Sequence, residues 1–148
     1  MTENHRRIEG SCHCRNIHFI LLWPASDPDI PVRQCSCTFC VKRGGSWTSH
    51  RSAELLAEVD TPSSVSKYRF GTTTANFYVC SVCGVVPFVT SEIDGSSYAV
   101  VNVNSFDNVD PSLLSCSSTN FDGEDSDERL ERRRRNWIPN VQISLAMR

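Results

Sequence analysis

Apolar positions along this chain come in short runs, alternating with polar ones and cut by glycine and proline, more often than they recur at helical spacing. Residues 17–23 hold the longest apolar stretch, stop at Pro24 and read as a strand. Residues 25–31, with two prolines and two aspartates, read as a loop. Further strands are predicted over residues 46–50 after the Gly44-Gly45 break, 65–70 up to Gly71, 76–79, 85–90 and 98–103. Asp94-Gly95 is a hairpin signal between the last two. Residues 52–58 read as a helical turn or two, with Ser52 as N-cap and Leu55 and Leu56 facing inward. Residues 1–10 read as a polar lead-in. Near the end, an acidic segment (122–131) precedes the block Arg132-Arg133-Arg134-Arg135, an order that suits the dipole of a short helix. Trp137-Ile138-Pro139 is apolar enough to dock back on the body. Many short strands and few helical segments predict a mainly β chain.

Cysteine changes this picture most. Seven of the eight cysteines fall into three clusters: Cys12-His13-Cys14, Cys35-Ser36-Cys37-Thr38-Phe39-Cys40 and Cys80-Ser81-Val82-Cys83. A CxC pair in a strand places both side chains on one face, and a CxxC turn brings two sulfurs onto one ion. Gly84, directly after Cys83, suits such a turn. A four-cysteine site would use two of the two-cysteine clusters. The three-cysteine cluster would then hold a metal through three protein ligands, which is the arrangement of a catalytic zinc; a closed set of four is structural. Other assignments remain. The second site would be structural too if His13, His18 or His50 supplied a fourth ligand. An iron–sulfur cluster wants four thiolates in spacings that CxCxxC does not match. Disulfides fit poorly, because no apolar signal segment opens the chain and a reducing cytoplasm is the expected location.

The remaining composition mostly excludes. The length of 148 residues predicts one domain, residues 1–148. A hydrophobic fraction of 39% gives a modest core, so bound metal would supply part of the stability. The net charge of −2 offers no general field for nucleic acid. The four arginines are read as a helix end paired to its own acidic neighbours rather than as an anion patch. No apolar run approaches the ~20 residues of a membrane span.

The ordered set Gly10-Ser11-Cys12-His13-Cys14, Cys35-x-Cys37-x-x-Cys40 with Gly45 beyond it, and Cys80-x-x-Cys83-Gly84 resembles the glutathione-dependent formaldehyde-activating enzyme family, also called the CENP-V/GFA domain family. The resemblance spans a core of about residues 8–140, including Trp137, with the charged segment 122–135 near its end. It implies an Mss4-like fold of several small antiparallel sheets around zinc, with two zinc ions per chain. By the resemblance, Cys12, Cys14, Cys80 and Cys83 hold a structural zinc, and Cys35, Cys37 and Cys40 a catalytic-type zinc with an open fourth position. The chain departs from the family pattern at Arg15, where many members have glycine. It departs again at Val41, commonly arginine, and at Val85-Val86-Pro87.

Zinc held by three thiolates carries a formal charge of about −1 and favours a soft fourth ligand such as a substrate thiolate. The chemistry that follows is making or breaking a carbon–sulfur bond. With the resemblance, this implies a carbon–sulfur lyase or adduct-forming enzyme acting on glutathione or a thiol conjugate. Lys42 and Arg43 are candidates for attracting glutathione carboxylates, Gly45 for letting the backbone approach the substrate, and Trp47 for walling the site. His50 is a weaker candidate for an acid–base group, and Cys116 reads as a free small side chain. The family also includes a centromere- and microtubule-associated protein, so the alternative is a non-catalytic zinc scaffold that binds a protein partner. Exposed strand edges leave a homodimer open.

Overall fold

The computed structural model describes residues 4–71, 73–119 and 123–146. The described chain is mostly β, in a four-stranded and a seven-stranded sheet. The smaller sheet runs β1 (His5–Ser11), β2 (Ile17–Pro24), β5 (Glu54–Val59), β11 (Asn140–Leu145). The first three are antiparallel, and β11 lies parallel to β5. The larger sheet runs β10 (Leu114–Thr119), β3 (Ile30–Cys35), β4 (Ser46–Thr48), β9 (Ser96–Asn102), β8 (Phe88–Ile93), β7 (Asn76–Cys80), β6 (Val65–Tyr68). Its one parallel pair is β10 with β3. Two helices are added, α1 (Thr38–Arg43) and α2 (Ser126–Asn136). No helix among the described residues is long and apolar enough to cross a membrane.

Burial alternates along β2, where Ile17, Phe19, Leu21 and Trp23 are the inward set. These residues meet Phe88, Ala99 and Val101 of the larger sheet in one core cluster. Val89 and Val100 point the other way, into a second cluster with Cys40, Trp47 and Trp137. The centre of the larger sheet is therefore covered on both faces, which explains why β8 and β9 carry adjacent apolar residues instead of strict alternation. Asp94 and Gly95, with φ of 51° and 81°, turn one strand into the other as the sequence predicts.

The structure corrects two expectations about local conformation. Residues 52–58 are not helical, since Glu54–Val59 is strand β5. The run Glu-Leu-Leu-Ala-Glu-Val fits either period. Pairing decides, because Leu55, Ala57 and Val59 stand opposite Leu21, Phe19 and Ile17, on the buried face of β2. The polar lead-in is also a strand, His5–Ser11, with Ile8 and Gly10 turned inward. A Cβ on Gly10 would lie 2.3 Å from Phe19 Cζ and 2.5 Å from the Ser105 carbonyl oxygen, so the chain packs there only as glycine. Boundaries shift elsewhere: β3 begins at Ile30, inside the predicted loop, and β8 begins at Phe88.

The predicted C-terminal helix is α2. The Asp125 carboxylate caps it by accepting from the Glu128 N–H at 2.8 Å. Residue 122 of the acidic segment lies outside the described residues. After α2, Ile138 is fully buried and exchanges backbone hydrogen bonds with Ala99, which brings Trp137 against the second core cluster.

Candidate metal centres and the adjoining cavity

Two groups of sulfur atoms form, each with its members within 4.8 Å of one another: Cys12, Cys14, Cys80 and Cys83, and Cys35, Cys37 and Cys40. None of the eight cysteines is in a disulfide. In the first group, Sγ of Cys12 and Cys14 are 3.8 Å apart, and Sγ of Cys14 and Cys80 are 3.5 Å apart. A tetrahedral zinc with Zn–S bonds of about 2.3 Å needs neighbouring sulfurs about 3.8 Å apart, so the four thiols fit that ion. The thiolate set also favours zinc over hard cations.

The first group is built from turns. Cys12 and Cys14 lie in the turn between β1 and β2, rather than within a strand as their spacing suggests. Cys80 ends β7, and the Gly84 N–H donates to its carbonyl at 2.8 Å, closing the CxxC knuckle. Gly84 has φ of 82°, the left-handed conformation that glycine adopts without strain. Arg15 also sits at a positive φ, 69°, and so carries a side chain where glycine would be easier. Because Cys12 follows β1 and Cys80 ends β7, the group joins the smaller sheet to the larger one.

The second group is built around α1. Cys35 ends β3, and Cys37 is the N-cap of α1, its Sγ accepting from the Cys40 N–H at 3.4 Å. Cys40 sits in the helix, 3% exposed, and accepts a hydrogen bond from Trp47 Nε1–H at 3.4 Å. Gly44, at φ of 70°, ends the helix in a left-handed cap. Without metal, each group stabilises one thiolate at the expense of its neighbours. The hydrogen bond from Cys40, with the Cys37 N–H and the field of Arg132, brings Cys35 down to about 5 against the opposing effect of burial. The same hydrogen bond and burial push Cys40 up. Burial pushes Cys12 up to about 12. For Cys83 burial acts upward as well, but hydrogen bonds from the N–H groups of Val85 and Cys14 and from the Cys80 and Cys12 thiols together outweigh it and leave the thiol at about 6.

The three-cysteine group faces a cavity of about 360 Å³. Trp47 lines it, beside Trp137, Phe70 and Phe77. Lys42, Arg43 and Gly45 are not among its lining residues. Lys42 and Arg43 end α1 exposed to solvent, and Gly45 lies against the Trp47 indole. None of the three candidate histidines joins either sulfur group. His13 is exposed, His18 pairs with Asp60 at 3.0 Å, and His50 pairs with Asp27 and stacks edge-on with Trp23.

Four arginines stand on the cavity wall: Arg33 and Arg129, which the sequence reading passed over, and Arg132 and Arg133, which it assigned to a self-paired helix end rather than to an anion patch. A signal for them exists. Arg33 precedes Cys35 by two residues on β3 and so shares its face, and residues 129, 132 and 133 follow helical spacing on α2. The expected self-pairing of the arginine block holds for Arg134, with Glu131 and Asp94 at 2.7 Å, and for Arg132, with Glu124 at 3.0 Å. Arg133 behaves otherwise. It is 6% exposed, donates to Thr74 Oγ1 at 2.7 Å and Ser91 Oγ at 3.1 Å, and lies over the Trp137 ring at 4.9 Å. Burial, with Arg132 and Arg129 alongside, pushes its guanidinium down to about 10, so it stays charged at neutral pH.

A crystal structure of a Rhodobacter sphaeroides protein superposes with a TM-score of 0.55 and 28% identity, covering 75% of this chain and 99% of the other. No curated protein gives a significant match. The family model described as glutathione-dependent formaldehyde-activating enzyme matches residues 7–120, which takes in both sulfur groups. The chain therefore belongs to the glutathione-dependent formaldehyde-activating enzyme family.

Proposed function

We propose that the chain is a zinc-dependent carbon–sulfur lyase or adduct-forming enzyme, acting on glutathione or another thiol conjugate beside Cys35, Cys37 and Cys40. One observation carries the reading. Three sulfurs within 4.8 Å of one another open onto a cavity, whereas the other group closes with four. Three protein ligands leave a position for a substrate atom. Zinc bound there supplies a soft Lewis-acid position that lowers the pKa of a thiol and keeps its sulfur nucleophilic.

The chain's own residues supply the rest. Cys35, Cys37 and Cys40 hold the centre on the rigid end of a strand and a helix, and the Trp47 N–H supports the charge on Cys40. The indole and phenyl walls lower the local dielectric on their side of the cavity, which strengthens electrostatic interactions there. The arginine wall favours an anionic ligand. With an aldehyde as the electrophile, the adduct-forming direction makes a carbon–sulfur bond as the carbonyl π bond opens, and the thiol proton ends on the new hydroxyl oxygen. The lyase direction reverses this, returning the proton to sulfur.

The test is zinc content per chain for wild type and Cys37→Ser, with and without excess thiol. Two zinc ions falling to one in the variant, with the thiol changing coordination at the lost site, supports the reading. Two zinc ions that ignore thiols, or a fourth protein ligand at the second centre, points instead to a structural scaffold.

A further inference from the structure

The cavity beside the three cysteines has a charge pattern that suits one kind of thiol better than others. Its described lining residues include four guanidinium groups and no carboxylate, lysine or histidine; Glu124, outside the lining, pairs with Arg132 at 3.0 Å and with Arg129 at 3.8 Å. Nearly all the rest of the wall is apolar, with Trp47, Trp137 and Phe77 among its largest members. Arg133 stands out within it. This side chain is 6% exposed, its two hydroxyl partners are neutral, and its Nε has no hydrogen-bond partner. A buried guanidinium whose hydrogen-bond partners are neutral lowers its free energy when an anion arrives beside it.

Glutathione matches this wall poorly. Its ammonium group would face guanidinium groups without a described carboxylate among the lining residues to receive it. Its two peptide units would face indole and phenyl surfaces that offer few hydrogen bonds. The volume of about 360 Å³ is also near the lower end of the roughly 300–1,000 Å³ usual for ligand pockets.

We infer that the thiol ligand of this chain is a compact carboxylic acid with an apolar or aromatic body, its sulfur directed to Cys35, Cys37 and Cys40 and its carboxylate to Arg132 and Arg133. The sulfur end rests on the thiol-binding reading of the three-cysteine centre; the carboxylate end stands on the arginine wall alone.

The test uses the full zinc-loaded chain and follows tryptophan fluorescence, since Trp47 and Trp137 line the cavity. Four probes are titrated: 2-mercapto-3-phenylpropanoate, its carboxamide, the sulfur-free 3-phenylpropanoate, and glutathione. The mercapto acid is expected to bind at least about tenfold more tightly than its carboxamide, the value of one charge-assisted hydrogen bond, and more tightly than glutathione. Arg132→Gln, checked for folding by circular dichroism, is expected to remove most of the difference between acid and amide. Equal binding of acid and carboxamide, or a preference for glutathione, overturns the carboxylate assignment while leaving thiol binding intact. A mercapto acid that binds no more tightly than the sulfur-free acid overturns the sulfur end, and with it the thiol reading of the centre, while the arginine site stands. The acid–amide comparison on wild type requires no variant to fold.

Discussion

The Trp47 indole N–H points at the Cys40 sulfur from 3.4 Å, and both residues are buried in the same apolar cluster. A thiolate in such surroundings keeps its charge only where donors face it. Trp47→Phe retains most of the ring packing and deletes the donor. Loss of a partner outside the ligand set typically costs 10–100-fold in metal affinity, and a drop of about that size is expected at the three-cysteine centre alone. Competition with a chromophoric chelator measures it: one zinc should leave earlier, while the other and the thermal midpoint stay nearly unchanged.

Gly45 offers an independent route to the same centre. A Cβ there would meet three Trp47 ring atoms at 2.8–2.9 Å, so Gly45→Ala must displace the indole. The expected outcome is a folded protein with the zinc phenotype of Trp47→Phe. Wild-type zinc retention in this variant would mean that the indole position does not govern the centre.

Metal loss at the other group should act on the whole fold. Cys12 and Cys14 follow β1, and Cys80 ends β7, so removing one sulfur loosens the tie between the two sheets. Structural zinc can contribute on the order of 10 kcal/mol, comparable to the roughly 5–15 kcal/mol net stability of an ordinary domain. Cys80→Ser is therefore expected to lose the β signal in circular dichroism. Cys37→Ser should keep it.

Both sulfur groups were legible in the cysteine spacing, because the geometry of a CxC or CxxC is local. The division into four and three needed the family resemblance, since spacing permits other pairings. Strands β2, β8 and β9 were legible from their apolar runs and the Asp94-Gly95 turn. Strand β5 was misread because six residues satisfy both periods, and only its register against Phe19 and Leu21 decides. The arginine wall was hidden for a related reason. Local charge balance correctly describes Arg134, but it says nothing about the direction of Arg133, which depends on Thr74 and Ser91 far away in sequence.

The two thiols that share a hydrogen bond in the three-cysteine group should react differently once metal is stripped. Cys35, at about 5, is mostly thiolate at pH 6, whereas Cys40 is pushed up and stays protonated. An ordinary cysteine near 8.5 is under about 1% thiolate at that pH. A low pKa also weakens the nucleophile, with a Brønsted slope of about 0.4–0.5, which leaves Cys35 ahead by several-fold rather than by hundreds. Mapping of iodoacetamide adducts by mass spectrometry at pH 6 should find Cys35 modified and Cys40 spared. The advantage over an ordinary thiol should shrink as pH rises toward 9, where an ordinary cysteine is mostly thiolate as well.

Neighbouring arginines on α2 separate a buried charge from surface ones. Arg134 is 41% exposed and its two carboxylate partners are more exposed still, so Arg134→Met should change stability by no more than about 1 kcal/mol. Arg133→Met removes two charge-assisted hydrogen bonds and the contact over Trp137. It also relieves the desolvation that lowers the guanidinium pKa. The hydrogen bonds and the ring contact together outweigh that relief, and a net loss of roughly 1–3 kcal/mol is expected from contacts of this kind. Urea unfolding of the two zinc-loaded variants compares them directly. If Arg133→Met were as stable as wild type, the desolvation cost would match everything those contacts return, and the reason for burying this arginine would have to be its ligand rather than the fold.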